Sequence, residues 1–375
     1  MIPAISALLL IFASLYFIFL ARIRHGLARA AAARPLLHHT PTVSIIVAAR
    51  NEEQHIEECI QSILLQDYPS ELMEIIVVDD SSSDTTRARI RSLAAEDPRI
   101  MLVVEDSMNA IRREGKPQAL TLGVYHAQHE IVLVTDADCI VSAAWVQSIV
   151  AGFAHSTTMV MGPVVEQRQG SFFSALQGLE AFGIVVVTAG LVGLRQPLIC
   201  IGANFAFRRS TFLQVDGFGS DHEPWVESIM KRIDKKNPGG VRFSMDQESI
   251  VYTRAPSSVR EFFGRRIRWG AVKPHYKQIW GLAKLTMLYV FFLVFLLASI
   301  LALHFAELRP LVASVWFFKL LFEFQTLVIG ATYLRQRISF GQFLVAELFH
   351  VPYIVIVGAL AQLLPVRWKG RTISR

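Results

Sequence analysis

Two carboxylates one residue apart, Asp136 and Asp138, close the run Ile131-Val-Leu-Val-Thr-Asp136-Ala-Asp138-Cys139. Paired hard oxygen ligands with an open side suit Mg²⁺ or Mn²⁺ that also touches a substrate diphosphate. A strand-ending turn uses the same residue type, so Asp-Ala-Asp alone leaves both readings open. Two further apolar runs also end in polar or acidic residues. One is Val43-Ser-Ile-Ile-Val-Ala-Ala followed by Arg50-Asn51-Glu52-Glu53, and the other is Glu74-Ile-Ile-Val-Val-Asp79-Asp80. In open α/β sheets, ligands bind beyond the carboxyl ends of the strands, so these acids would gather along one rim. Lys116, in Gly-Lys-Pro, puts a cation at the start of a helical stretch. Asp221, Glu223 and Glu227 surround the start of a helix, and Arg265-Arg266-Ile-Arg268-Trp269 forms a basic and aromatic cluster.

The elements that must hold these residues alternate. Buried strands are expected at 43–49, 74–79, 100–104 and 131–136. Helices are expected at 52–66, with Ile56, Ile60, Ile63 and Leu64 on one face, at 85–95 behind a Ser83 or Asp84 cap, and at 116–127. Residues 159–166 read as one further strand and 202–209 as strand and turn. Pro224 starts a helix with Glu223 as its N-cap, residues 241–252 include a strand, and Ser257 or Ser258 caps the basic helix. Strand–helix alternation argues for right-handed crossovers and a doubly wound α/β sheet.

With 375 residues and a hydrophobic share of 53%, there is room for one sizeable core plus membrane spans. The net charge of +6 is modest, and the basic residues sit beside apolar segments. They read as membrane-flanking, which makes membrane lipid a partner and leaves no nucleic-acid face. Cys59, Cys139 and Cys200 have no spacing for zinc or a disulfide framework, as in a reducing compartment. Residues 2–20 are an unbroken apolar run followed by Arg22, Arg24, Arg29 and Arg34. That pattern favours an anchor over a signal peptide and puts the following domain in the cytoplasm. Residues 172–194 are nearly apolar but interrupted by Gln177 and Glu180, so a buried or interfacial helix is expected. Candidate spans recur at 283–303, 311–334 and 343–364. Three crossings would leave Arg367, Lys369, Arg371 and Arg375 outside, against the positive-inside rule, unless one helix is re-entrant or interfacial. The expected organisation is an anchor at 1–24, a cytoplasmic catalytic domain at 41–280, membrane helices at 281–365 and a basic tail at 366–375, in an inner or plasma membrane. Lys319 and Glu323, one turn apart, would pair inside the bilayer, with Glu347 and His350 in the last span.

Val43–Asn51, Val78-Asp-Asp-Ser81, Glu114-Gly-Lys116, Thr135-Asp-Ala-Asp138 and Arg265-Arg-Ile-Arg268-Trp269 resemble, in order and spacing, the membrane-bound inverting family-2 glycosyltransferases. The resemblance covers residues 42–278 and implies a GT-A fold, a mixed doubly wound sheet with one N-terminal and about three C-terminal transmembrane helices. It implies that Asp80 accepts hydrogen bonds from a nucleotide base, with Asp79 in support and Ala48 and Glu52 lining the pocket. Lys116 would face the diphosphate, and Asp136 and Asp138 would hold a divalent Mg²⁺ or Mn²⁺, Asp138 being preferred as the direct ligand. The family's catalytic base comes from an acidic pair at a helix start, and here the pattern departs, since Asp221-His-Glu223-Pro-Trp-Val-Glu227 has no such pair. Glu223 is placed ahead of Glu227, and Asp221 third, with a plain N-cap role for Glu223 still open. Arg265 stands where many relatives carry Gln. Arg266 and Arg268 would clamp the leaving diphosphate and Trp269 would wall the acceptor site, although the same helix also reads as amphipathic on an anionic membrane surface. The implied activity is metal-dependent, inverting sugar transfer from a nucleotide-sugar donor, UDP preferred, to a lipid-linked or glycan acceptor. A processive polysaccharide synthase and a catalytically silent donor-binding subunit are the alternatives.

Overall fold

A computed structural model describes residues 2–32, 40–104, 115–167, 170–218, 225–270, 279–364, 366–368 and 371–373. The chain begins with α1 (Ile2–Ala32), β1 (Val43–Ala49), α2 (Ile56–Leu64), β2 (Met73–Asp79), α3 (Thr86–Glu96), β3 (Ile100–Val104), α4 (Lys116–His126) and β4 (Ile131–Asp136). There follow β5 (Cys139–Val141), α5 (Trp145–Val150), β6 (Met159–Met161), β7 (Val164–Gln167), α6 (Phe172–Gly193), β8 (Asn204–Arg208), α7 (Arg209–Gln214) and α8 (Trp225–Lys236). The remainder is β9 (Val241–Phe243), β10 (Val251–Arg254), α9 (Val259–Gly270), α10 (Ile279–His304), α11 (Arg309–Tyr333), α12 (Phe340–Leu363) and a hairpin of β11 (Val366–Trp368) and β12 (Arg371–Ile373).

A seven-stranded sheet has the order β3-β2-β1-β4-β8-β6-β9. Its first four strands are parallel, and β8 then runs antiparallel to both β4 and β6. The sheet is therefore mixed, as expected from the family resemblance. β1 is buried on both faces, which fits a sequence that is apolar except at Ser44, whose hydroxyl bonds Glu74. Register places Ala49 opposite Asp79 and Ala48 opposite Asp136, so β2, β1 and β4 end at one rim.

The expected single strand at 159–166 is two strands in different sheets. Pro163, which has no N–H to donate, lies between them, and β7 joins β10 and β5 in a three-stranded sheet. Asn204 ties the two sheets together: its amide donates to Pro163 O and Ser249 O at 2.8 Å each, and its Oδ1 accepts from Trp145 Nε1 at 3.1 Å.

Among the described residues, five helices are long and apolar enough to cross a membrane: α1, α6, α10, α11 (with the turn before it) and α12. α1 continues past its arginines, because Ile23 and Leu27 are buried in the core that α6 shares with the main sheet. The crossing of α1 and α6 is close. A Cβ on Gly26 would lie 2.0 Å from Gly190 O, and one on Gly193 would lie 2.0 Å from Gly26 O. Gly26→Leu should therefore force the helices apart and lower the Tm of the detergent-solubilised protein, at a cost of about 1–3 kcal/mol or more. An unchanged Tm would contradict this contact.

Further along α1, Leu9, Ala13, Tyr16 and Leu20 pack with Phe291, Phe295 and Val315 of α10 and α11. Lys319, fully buried, donates to Glu323 Oε2 at 2.9 Å and also pairs with Glu347 of α12, while the Tyr16 hydroxyl donates to Glu323. The expected Lys319–Glu323 pair thus belongs to a network joining α1, α11 and α12, in which each charge has an opposite partner.

α12 starts and finishes against the sheet domain. Gln342 in its first turn shares a cavity with Val165 and Gln167, and Gln362 near its end donates to Gly270 O at 3.0 Å. β11 follows beside α9.

Candidate active site

The turns after β1 and β2 are stitched together. Asn51 and Ser81 both take positive φ, 50° and 54°, immediately beyond the strand ends. Such backbone is costly for residues other than glycine and persists where surrounding bonds hold it. Here Asn51 Oδ1 accepts from Ser83 N at 2.9 Å, and the Ser82 hydroxyl accepts from Asn51 N at 3.0 Å. Glu52 N donates to Thr86 Oγ1 at 2.8 Å, and Glu53 accepts from both the N–H and the hydroxyl of Thr85. Those bonds to Thr85 hold the Glu53 carboxyl below its ordinary range.

Asp79 and Asp80 have different surroundings. Asp79 is fully buried and accepts from Arg87 Nε at 2.7 Å and from Ser82 N at 3.3 Å, so its carboxylate braces the turn. Asp80, also buried, has the Arg50 guanidinium 3.8 Å from Oδ1 and bonded to its carbonyl at 2.8 Å. Ala48 and Glu52, on either side of that turn, are half-buried.

On the other side of β1, Lys116 opens α4 behind Gly115, whose φ of 81° suits glycine. Lys116 Nζ pairs with the Asp136 carboxylate, reaches Gly202 O at 3.5 Å and lies 5.2 Å from the centre of the Trp225 ring. Asp136 and Asp138 are half-buried at the end of β4, and the Cys59 thiol donates to Asp136 O at 3.3 Å. Burial raises the Cys59 thiol pKa, and the Asp138 and Asp136 charges raise it further, so that sulfur stays protonated. The three cysteines are buried and unbridged.

Beneath this rim, α9 brings its basic residues to different tasks. Burial and the neighbouring Arg265 lower the Arg268 pKa, while the charges of Asp136 and Asp138 act the other way, which places Arg268 within the field of the acid pair. Arg265 bonds Arg254 O at 3.2 Å and Glu261 at 3.4 Å. Arg266 is 3% exposed and turns inward, with Nε donating to Glu180 at 2.8 Å, Nη2 to Glu166 at 3.3 Å, and its guanidinium 4.4 Å from the Trp269 ring centre. Trp269 remains half exposed. Arg266 is thus placed to hold α9 against α6 and β7.

Of the candidate bases, Asp221 and Glu223 lie outside the described residues. Glu227 is half-buried; it sits about 200° around α8 from Trp225, which faces Lys116. Burial raises the Glu227 pKa, opposed by Lys231 and by a hydrogen bond from the Cys200 backbone. The sequence reading missed Arg50, Glu166 and Glu180. Glu180 carried a signal, because an acid interrupting an apolar helix needs a cationic partner.

The strand order, the antiparallel β8 and the acid-lined rim are those of a GT-A fold with added membrane helices. The model of "Glycosyl transferase family 2" matches residues 44–215, and that of "Glycosyl transferase family group 2" matches 131–327, more than half the chain. The chain belongs to this glycosyltransferase family. The poly-β-1,6-N-acetyl-D-glucosamine synthase of Staphylococcus aureus is 22% identical over 272 residues, 71% of this chain and 62% of the relative. The probable glycosyltransferase YdaM of Bacillus subtilis is 28% identical over 63% of this chain and 56% of its own. The chain thus spans about three fifths of the length of these curated relatives. Among solved structures, the mannosyltransferase PcManGT of Pyrobaculum calidifontis, in complex with GDP-mannose and Mn²⁺, aligns with a TM-score of 0.57 at 20% identity. That alignment covers 96% of this chain and 99% of PcManGT, and so shares the fold along nearly the whole length.

Proposed function

We propose that this chain is an inverting, metal-dependent glycosyltransferase that moves a sugar from a nucleoside diphosphate, UDP preferred, to a lipid-linked or glycan acceptor. Its catalytic domain, residues 41–280, lies on the cytoplasmic face, with the anchor at 1–24, the helices at 281–365 and the basic tail at 366–375 at or beside the membrane. One observation carries the reading: Lys116 pairs with Asp136 at the rim, while Asp80 stands on the far side of β1, about 10 Å away at two inter-strand spacings. Such a span suits a nucleoside at Asp80, with Ala48 and Glu52 beside it, and a diphosphate at Lys116.

The carboxylates of Asp136 and Asp138 are hard oxygen donors, a set that fits Mg²⁺ or Mn²⁺. The ion, when bound, supplies neutralisation of the negative charge on the departing diphosphate. Lys116 exchanges its carboxylate partner for a phosphate oxygen, and Arg268 adds positive charge from α9. Trp269 offers its exposed face to the acceptor. An acceptor hydroxyl attacks the anomeric carbon from the side opposite the diphosphate, its proton passing to a carboxylate as the C–O bond to phosphate breaks. We assign that role to Glu223, which comes two residues before Trp225 in the sequence, whereas Glu227 is directed to Cys200 and Lys231. Glu223→Gln should keep donor binding and lower kcat by about 10²–10⁴-fold. Equal loss in Glu227→Gln alone would reassign the base.

Glu227 carries a pH prediction of its own. Burial lifts its folded pKa above the ordinary value of 4.5, so the folded chain holds its proton longer than the unfolded chain. That contribution is fully present below the unfolded pKa and disappears as pH rises through the folded one. Glu227→Gln should therefore flatten the fall in Tm across that window. Parallel Tm–pH curves for the two proteins would count against it.

The synthase relative favours a second reading, processive polymerisation. Long polymer from the purified chain would support it, and single-sugar product would support the first.

A further inference from the structure

A cavity of about 450 Å³ lies between β7, the first half of α6 and the connection from α11 to α12. Its apolar wall includes Val165, Ala175, Leu179 and Phe182, and its polar wall includes Glu166, Gln167, Tyr252 and Gln342. The α11–α12 connection joins two apolar helices, so the cavity lies where the bilayer meets the catalytic domain. It is separate from the nucleotide rim. In the three-stranded sheet, Glu166 pairs with Thr253 and Thr253 with Cys139, which puts two strand spacings between Glu166 and the neighbour of Asp138.

Glu166 is 4% exposed, and its two oxygens differ. Oε1 lies 3.3 Å from Arg266 and 3.9 Å from Arg265, whereas Oε2 accepts no hydrogen bond among the described residues. A buried acceptor without a donor is costly, and a small turn of the Glu166 carboxylate, which lines the cavity, would bring Oε2 to a ligand O–H that relieves that cost. Burial also raises the Glu166 pKa, with the two arginines opposing. A phosphate would bring a second anion toward this carboxylate. Arg337 also lines the cavity and makes an anionic lipid the competing occupant.

We propose that this cavity binds the neutral, hydroxyl-bearing head group of a membrane lipid, with Glu166 accepting the hydroxyl hydrogen bond and α6 flanking the apolar tail.

Gly178 gives a clean test. It lines the cavity, and a Cβ built there meets nothing within 4 Å. Gly178→Leu therefore sets its Cβ in open space and extends a side chain into the cavity, and leucine is the better helix former. Gly178→Ala leaves most of the space. The full-length protein in detergent micelles is titrated with 1,2-dioctanoylglycerol, and separately with dioctanoyl phosphatidic acid, while Tm is read. Stabilisation by dioctanoylglycerol is expected in the wild type and in Gly178→Ala, with loss in Gly178→Leu and a weaker response to phosphatidic acid. The proposal is overturned if dioctanoylglycerol does not stabilise the wild type, if Gly178→Leu responds like the wild type, or if phosphatidic acid binds as well or better. Lipid stabilisation that is lost in Gly178→Leu supports the site, whether or not the protein turns over a donor.

Discussion

Asp138→Ala is expected to lower sugar transfer by about 10³-fold at saturating donor, because in the proposed site it would remove an oxygen ligand from the ion that neutralises leaving-group charge. Asp138 is half-buried in the turn after β4 and carries none of the sheet register, so the fold should survive the change. Asp136→Ala would be less informative. It strips Lys116 of its carboxylate and so perturbs two groups at once. The measurement is release of free nucleoside diphosphate with lipid extract as acceptor, over a range of Mn²⁺ concentrations. Turnover equal to the wild type would remove Asp138 from the metal site.

Arg266→Met should be the most destabilising single change among the candidate site residues. Arg266 joins Glu180 of α6, Glu166 of β7 and the rings of Phe262 and Trp269, and the Tyr353 hydroxyl of α12 donates to the same Glu180 at 3.1 Å. Removing the cation leaves two carboxylates around a buried centre. Breaking a buried pair on one side costs about 3–5 kcal/mol. For a domain of this size that is a Tm drop on the order of 10 °C. A double change, Arg266→Met with Glu180→Leu, should recover part of the loss, since apolar replacement of a whole buried pair is often near neutral. A Tm of Arg266→Met within about 2 °C of the wild type would contradict this bracing role.

The sequence made β1, β2 and β4 legible, with polar or acidic residues at their ends, because a strand covered on both faces is mostly apolar and ends where the chain meets water. Short strands were harder. β6 and β9 have three residues each, too few for any period, and only the sheet pairings separate β6 from β7 and β9 from β10. α1 was expected to end near its arginines. Their charge marks a bilayer boundary but does not stop a helix, and Ile23 and Leu27 find a core beyond it. The division of labour within α9 could not be read from the chain, because Arg265, Arg266 and Arg268 have the same chemistry until their partners are known. Glu166 and Glu180, which claim Arg266, lie 100 and 86 residues away.

The central claim is that Asp80, Lys116, Asp136 and Asp138 form one nucleoside diphosphate site. Calorimetric titration of UDP into the purified protein, with and without Mn²⁺, tests it most directly, with Asp80→Ala and Asp138→Ala alongside. The expected result is Mn²⁺-dependent binding that weakens at least about tenfold in each variant. UDP and GDP both failing to bind, or binding indifferent to Mn²⁺ and to both substitutions, would contradict it.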